Sequence, residues 1–265
     1  MKAGAIMIYR VGTGFPFKRA QDDTEGAEGM RARAGVLTSV LALVALVVPA
    51  CGCGPAEPKA TPVPIDVSLL TGKPCEPPCW QGLTPGSSTE DDVNQFMETS
   101  KFVDRDSVFR GDITTASAGV VGVSVQWQSV VEMHGSKGWN SFHIEDGVVQ
   151  SIETYLDFEV TLGELLDRYG PPTSLRAQYS PPPSVDAEIT LFYPELGLAA
   201  RVLLKPPEDH LELQPGSTVE RVWYFSPRPL EELCDLSGAV RFPDKPEHIE
   251  IVLQPWEGYG PIELD

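Results

Sequence analysis

Residues 139–173, WNSFHIEDGVVQSIETYLDFEVTLGELLDRYGPPT, run through a hairpin, a helix start and a helix stop without a gap. Asp146-Gly147 sits between two apolar-alternating runs, 139–145 and 148–156, and is the strongest short hairpin signal. Thr161 and Glu164 have capping-box spacing: the hydroxyl serves the fourth residue's amide and the carboxylate serves the first. Leu162, Leu165, Leu166 and Tyr169 then form the stripe of a buried helix face. Gly170 suits a left-handed stop, and Pro171-Pro172 forbids continuation.

The same grammar extends in both directions. Upstream, Ser87-Ser88-Thr89-Glu90 reads as another capping box, with Ser87 at the cap and Asp91 and Asp92 suited to the positive end of the helix dipole. Val93, Phe96 and Met97 supply the apolar stripe, so the acidic run has a structural use and is not read as catalytic. Residues 119–130 follow as a strand, with Val121, Val123, Val125 and Trp127 on one side. Downstream, strands are expected at 187–193 and 198–204, around Pro194-Glu195-Leu196-Gly197, and at 218–226. Helix then antiparallel strands, twice, about 70 residues apart, predicts an α+β fold of two tandem helix-plus-antiparallel-sheet units, 73–157 and 158–265, the second ending in a tail. In that tail a short helix at 229–236 and a last strand at 248–253 precede the aromatic, glycine-rich run Trp256 to Gly260.

Ahead of the fold lies an address. Val36 to Val48 is uncharged, preceded by Arg31 and Arg33, and at thirteen residues is shorter than the about 20 a spanning helix requires. It has the length of a secretory signal core, which places the signal peptide at 30–50. Asp22, Asp23, Glu25 and Glu28 fit a leader poorly, so Met30 is read as the start and 1–29 as a mis-assigned or disordered extension. Val48-Pro49-Ala50-Cys51 resembles a bacterial lipobox, which implies lipidation at Cys51; Cys53 comes too late after the apolar core. Residues 51–72 then form the lipidated cysteine and a flexible tether, the proline-rich stretch 52–64 favouring extended backbone.

The first 50 residues carry 6 of the 20 Lys and Arg and 4 of the 38 Asp and Glu, which leaves 14 against 34 and a net charge of −20. Such a body repels nucleic acid and anionic headgroups, so membrane attachment falls to the N-terminal lipid. An exported chain favours disulfides. Cys75, Cys79 and Cys234 are the candidates, either Cys75–Cys79 across Pro77-Pro78 or Cys79–Cys234 across the domain. No second cysteine pair or histidine at ligand spacing supports zinc, and no cofactor is expected.

GLTPGSSTEDDV (82–93) and EVTLGELLDRYGPPT (159–173) resemble the helix-opening segments of BamE/SmpA-type small lipoproteins, and the tandem plan is similar to β-lactamase-inhibitory-protein architecture. The resemblance implies a protein-binding scaffold of the cell envelope without catalysis. The residues agree on the last point: there is no Gly-x-Ser-x-Gly elbow, no Ser-x-x-Lys, no phosphate loop, and His134, His143, His210 and His248 lack zincin spacing. A Cys234–His248 nucleophile pair is outweighed by a disulfide or buried cysteine, and Asp104-Arg105-Asp106 lacks the glycine and terminal glutamate of a calcium loop. The expectation is a membrane-anchored lipoprotein on the extracytoplasmic or periplasmic side, acting as a non-catalytic protein-binding or envelope-assembly module. The alternatives are a glycan- or peptide-binding module or an extracytoplasmic enzyme. Trp223, Tyr224, Phe225 and Trp256 are the candidate partner-binding residues.

Overall fold

The computed structural model describes residues 64–115, 119–133, 137–179, 186–204, 211–229 and 253–262, all within one compact unit. Residues 1–63, and with them the signal peptide, Cys51 and Cys53, are not among those described. The same holds for His134, His210, Cys234, His248, most of the tail helix foreseen at 229–236 and all but one residue of the strand foreseen at 248–253.

Four strands follow one another as an antiparallel meander: β1 (Val103–Thr115), β2 (Gly119–Ser129), β3 (Trp139–Glu145) and β4 (Val148–Thr161). After them come β5 (Ser174–Tyr179), β6 (Ala187–Tyr193), β7 (Leu198–Leu204), the short β8 (Glu212–Leu213), β9 (Thr218–Phe225), β10 (Gln254–Pro255) and β11 (Gly260–Pro261). Nine of these make one sheet in the order β1-β2-β3-β4-β9-β7-β6-β5-β10, while β8 pairs with β11. The helices are α1 (Ser68–Thr71), α2 (Glu90–Thr99) and α3 (Leu162–Tyr169).

This corrects the two-unit α+β expectation. The described residues are mostly antiparallel β, 51% strand against 16% helix. Helices of 10 and 8 residues are too short to organise separate cores, and both lay their apolar residues on one shared sheet. The strand β4 runs unbroken from the hairpin to the cap of α3, through the point where the two units were divided. Its pairing with β9, Ser151↔Phe225 to Tyr155↔Arg221, fuses the two runs of strands into a single sheet.

The local signals explain most of the elements. Asp146 and Gly147 both take positive φ, 50° and 75°, as a two-residue hairpin turn requires. Thr161 and Glu164 form the foreseen capping box, with the Thr161 backbone N–H donating to Glu164 Oε2 at 2.8 Å. At α2 the cap is Thr89 with Asp92 as its partner, rather than Ser87 with Glu90. Ser88 is occupied elsewhere, its Oγ accepting from the Thr84 N–H at 2.8 Å, and the Ser87 hydroxyl donates to the Thr84 carbonyl. Gly197 is required by space: a Cβ there would come within 2.1 Å of the Phe225 carbonyl oxygen.

One face of the sheet carries the core beneath the helices. A single cross-strand row reads Val125, Phe142, Ile152, Tyr224, Leu198 and Tyr193, all buried. Val93 and Met97 of α2 and Leu162 and Leu165 of α3 belong to the same cluster. At its α2 end Trp80, Phe96, Trp127 and Phe142 pack ring on ring, Trp127 and Phe142 stacked with centroids 4.5 Å apart.

Candidate functional site

The second face of the sheet, turned away from the helices, gathers the polar chemistry. Strand periodicity of two puts Arg176, Thr190, Arg201, Arg221 and Tyr155 in one cross-strand row. The neighbouring row reads Ser174, Phe192, Ala199, Trp223, Glu153, Ser141 and Gln126. Arg201 bridges two strands, its Nη1 3.3 Å from Glu188 and its Nη2 2.8 Å from Glu220. Arg221 pairs with Glu153 while its guanidinium lies 3.9 Å from the centre of the Tyr155 ring. Ser141 Oγ donates to Glu153 and Gln178 Nε2 donates to Glu188. The arginine forks are therefore fixed by carboxylates and an aromatic ring, with side chains only 12–18% exposed for Arg201, Arg221, Glu153 and Glu188.

Two residues along each strand from the Ser141↔Glu153 pair stand Trp139 and Tyr155, and Trp139 is 45% exposed. The Tyr155 ring lies so close to Gly138 that a Cβ there would come within 2.3 Å of it. The result is an ordered surface with donors and acceptors of both signs and an exposed indole at its edge.

The residues first singled out for partner binding lie elsewhere. Trp223 and Phe225 face this second side but are buried with Phe192 and Ala199, against Leu253; Tyr224 points into the main core. Three aromatics in a row suggest a binding surface, but alternation in a central strand commits both parities to packing. Trp256 is half-buried against the main core, its ring edge-on to Tyr259 at 6.0 Å. Cys75 and Cys79 are joined to each other. His143 Nε2 sits 3.1 Å from Glu145. Among the described residues no group of three or more His, Cys, Asp and Glu is placed to hold a metal.

A second feature escaped the sequence reading. Asp157 is buried, only 7% exposed, on β4. The Ser129 hydroxyl and the Asp66 backbone N–H donate to its carboxylate. Burial, helped by the nearby Asp66 charge, pushes its pKa up to about 6. Asp66 in turn accepts from Trp80 Nε1 at 2.6 Å, Gln81 Nε2 at 2.8 Å and the Ser68 N–H at 2.9 Å. That carboxylate thus ties the first described residues to the core.

The chain matches no known protein family, no curated protein and no solved structure. Among the described residues no helix is long and apolar enough to cross a membrane.

Proposed function

We propose that the chain is a lipid-anchored extracytoplasmic protein whose folded part is a non-catalytic module binding a protein partner in the envelope. The anchor rests on the sequence of the leader: an uncharged core of thirteen residues, a basic segment before it, and Cys51 after Pro49-Ala50. The binding role rests on one observation, the ordered row Arg176–Arg201–Arg221–Tyr155 with its attendant Glu153, Glu188 and Glu220 and the exposed Trp139. Arginine forks, carboxylates and an aromatic edge on a rigid sheet are what a protein interface uses for specificity. The glycan or peptide reading built on Trp223, Tyr224, Phe225 and Trp256 loses the first three to packing, and Trp256 is half-buried against the main core.

The test is crosslinking of the lipidated protein in its own cells, with Trp139→Ala and Tyr155→Ala as companions. A partner captured by the wild type and lost in both variants supports the reading. A crosslinked partner that both variants retain would move the interface off this face, and no partner at all would remove the binding role.

A further inference from the structure

Where β4 passes β9 the ladder breaks. Pairing jumps from Tyr155↔Arg221 to Val160↔Val219, so four residues of β4, Leu156 to Glu159, stand against the single Glu220. Such bulges bend a strand and re-aim side chains, and they gather next to sites. Here the displaced segment borders a cavity of about 520 Å³ between the ends of β4, β7 and β9. That volume falls in the range of sites for drug-sized molecules, about 300–1,000 Å³.

Among the described residues the lining combines apolar walls with charge of one sign. Met133, Leu156, Phe158, Leu203 and Leu204 contribute the walls. Among the described lining residues Asp157, Glu159 and Glu220 are acidic and none is basic. Glu220 already holds Arg201 at 2.8 Å, which leaves Asp157 and Glu159. Glu159 is exposed, at the rim. Asp157 is the informative one. It is more than nine-tenths buried, its hydrogen bonds come from a hydroxyl and a backbone N–H, and the one charge acting on it among the described residues is another carboxylate, Asp66. Buried carboxylates are ordinarily paired with a cation. A carboxyl group kept in an apolar cavity without one matches a ligand that brings the missing charge.

We propose that this cavity binds a small organic cation with an apolar body, its ammonium group drawn to Asp157 and Glu159 and its body against the Phe158 and leucine walls. A free anion is repelled by the same carboxylates, and a neutral molecule gains no ion pairing from them. The cavity adjoins the Arg201–Arg221 row and shares Tyr155 and Glu220 with it, but Asp157 and Glu159 lie outside the row, so a change at either tests the cavity whether or not the row binds a protein.

The experiment is calorimetric titration of the full chain in phosphatidylcholine nanodiscs with benzyltrimethylammonium, and with phenylacetate as the anion of similar size, empty nanodiscs being subtracted. The expected result is saturable binding of the cation with a Kd below about 1 mM, none of phenylacetate, and about tenfold or greater weakening in Asp157→Asn. Absence of saturable cation binding, equal binding of phenylacetate, or an unchanged Kd in a folded Asp157→Asn protein each overturns the proposal. Should that variant not fold, Glu159→Gln at the exposed rim replaces it. A weakening of about threefold then supports the site and an unchanged Kd overturns it.

Discussion

Asp157→Asn should make the protein more stable at neutral pH and leave it nearly unchanged in acid. In the folded chain the carboxyl has its pKa pushed up to about 6, chiefly by burial, against an ordinary value of 3.8. Between those two values the folded state holds a proton that the unfolded state has released. Stability is therefore fully present below about pH 4, falls as pH rises through the window, and levels off above about pH 6. The gap corresponds to about 3 kcal/mol at most, and water reaching the carboxyl reduces this to about 2 kcal/mol. Asparagine keeps an acceptor for the Asp66 N–H and the Ser129 hydroxyl but has no charge to bury. For a domain of this size the gain is a melting temperature about 4–8 °C higher at pH 7.5, shrinking towards zero at pH 4. The assay is thermal melting of both proteins at several pH values between 4 and 7.5. Asp92, Asp104 and Glu164, whose pKa values are lowered by hydrogen bonds to Thr89, Lys137 and Thr161, also titrate in acid. They do so alike in both proteins and cancel in the difference. A variant that melts below wild type at neutral pH, or a difference that does not change with pH, would refute the assignment of Asp157 as a buried, uncompensated carboxyl.

Four further outcomes follow from the sequence and the fold. Cys51→Ser should remove the lipid mass from the N-terminal peptide and shift the protein from the detergent to the aqueous phase; an unmodified, aqueous wild type would refute the lipobox reading. Leu165→Ala, which deletes fully buried methyls beneath the sheet, should cost about 2–5 kcal/mol in denaturant melts. Thr89→Ala should cost about 1 kcal/mol, and Ser87→Ala should cost clearly less because its hydroxyl serves only the Thr84 carbonyl. Equal losses at the two positions would put the cap back at Ser87. Non-reducing digestion should recover Cys75 and Cys79 bridged to each other, and Cys234→Ser should leave that bridge intact; a Cys79–Cys234 peptide would contradict it.

What the sequence displays is local. Periodicity and turn chemistry located β3, β6 and β7 to the residue, because each lies between strong punctuation: Asp146-Gly147 on one side of β3, and Pro194 to Gly197 between β6 and β7. The strand β1 carried no such signal. VDRDSVFRGDITT lies at the sheet edge, where both parities meet solvent and a register shift between Asp104 and Phe109 destroys alternation. Assembly was less visible still. Two helix-and-strand runs in sequence look like two units, and only the β4–β9 pairing, between residues 57 to 74 positions apart, makes them one sheet. The same long-range pairing creates the polar row, since Arg201 in LAARVLL and Arg221 in VERVWYF are lone cations in apolar strands until Glu188, Glu220 and Glu153 meet them. A charged residue inside an otherwise apolar strand was the available clue, and it implied a partner across the sheet without saying which. Asp157 gave no clue at all. In YLDFEV it occupies an ordinary exposed-looking position of an amphipathic strand. Only the bulge opposite Glu220, which no propensity encodes, carries it out of alternation and into contact with Ser129 and Asp66.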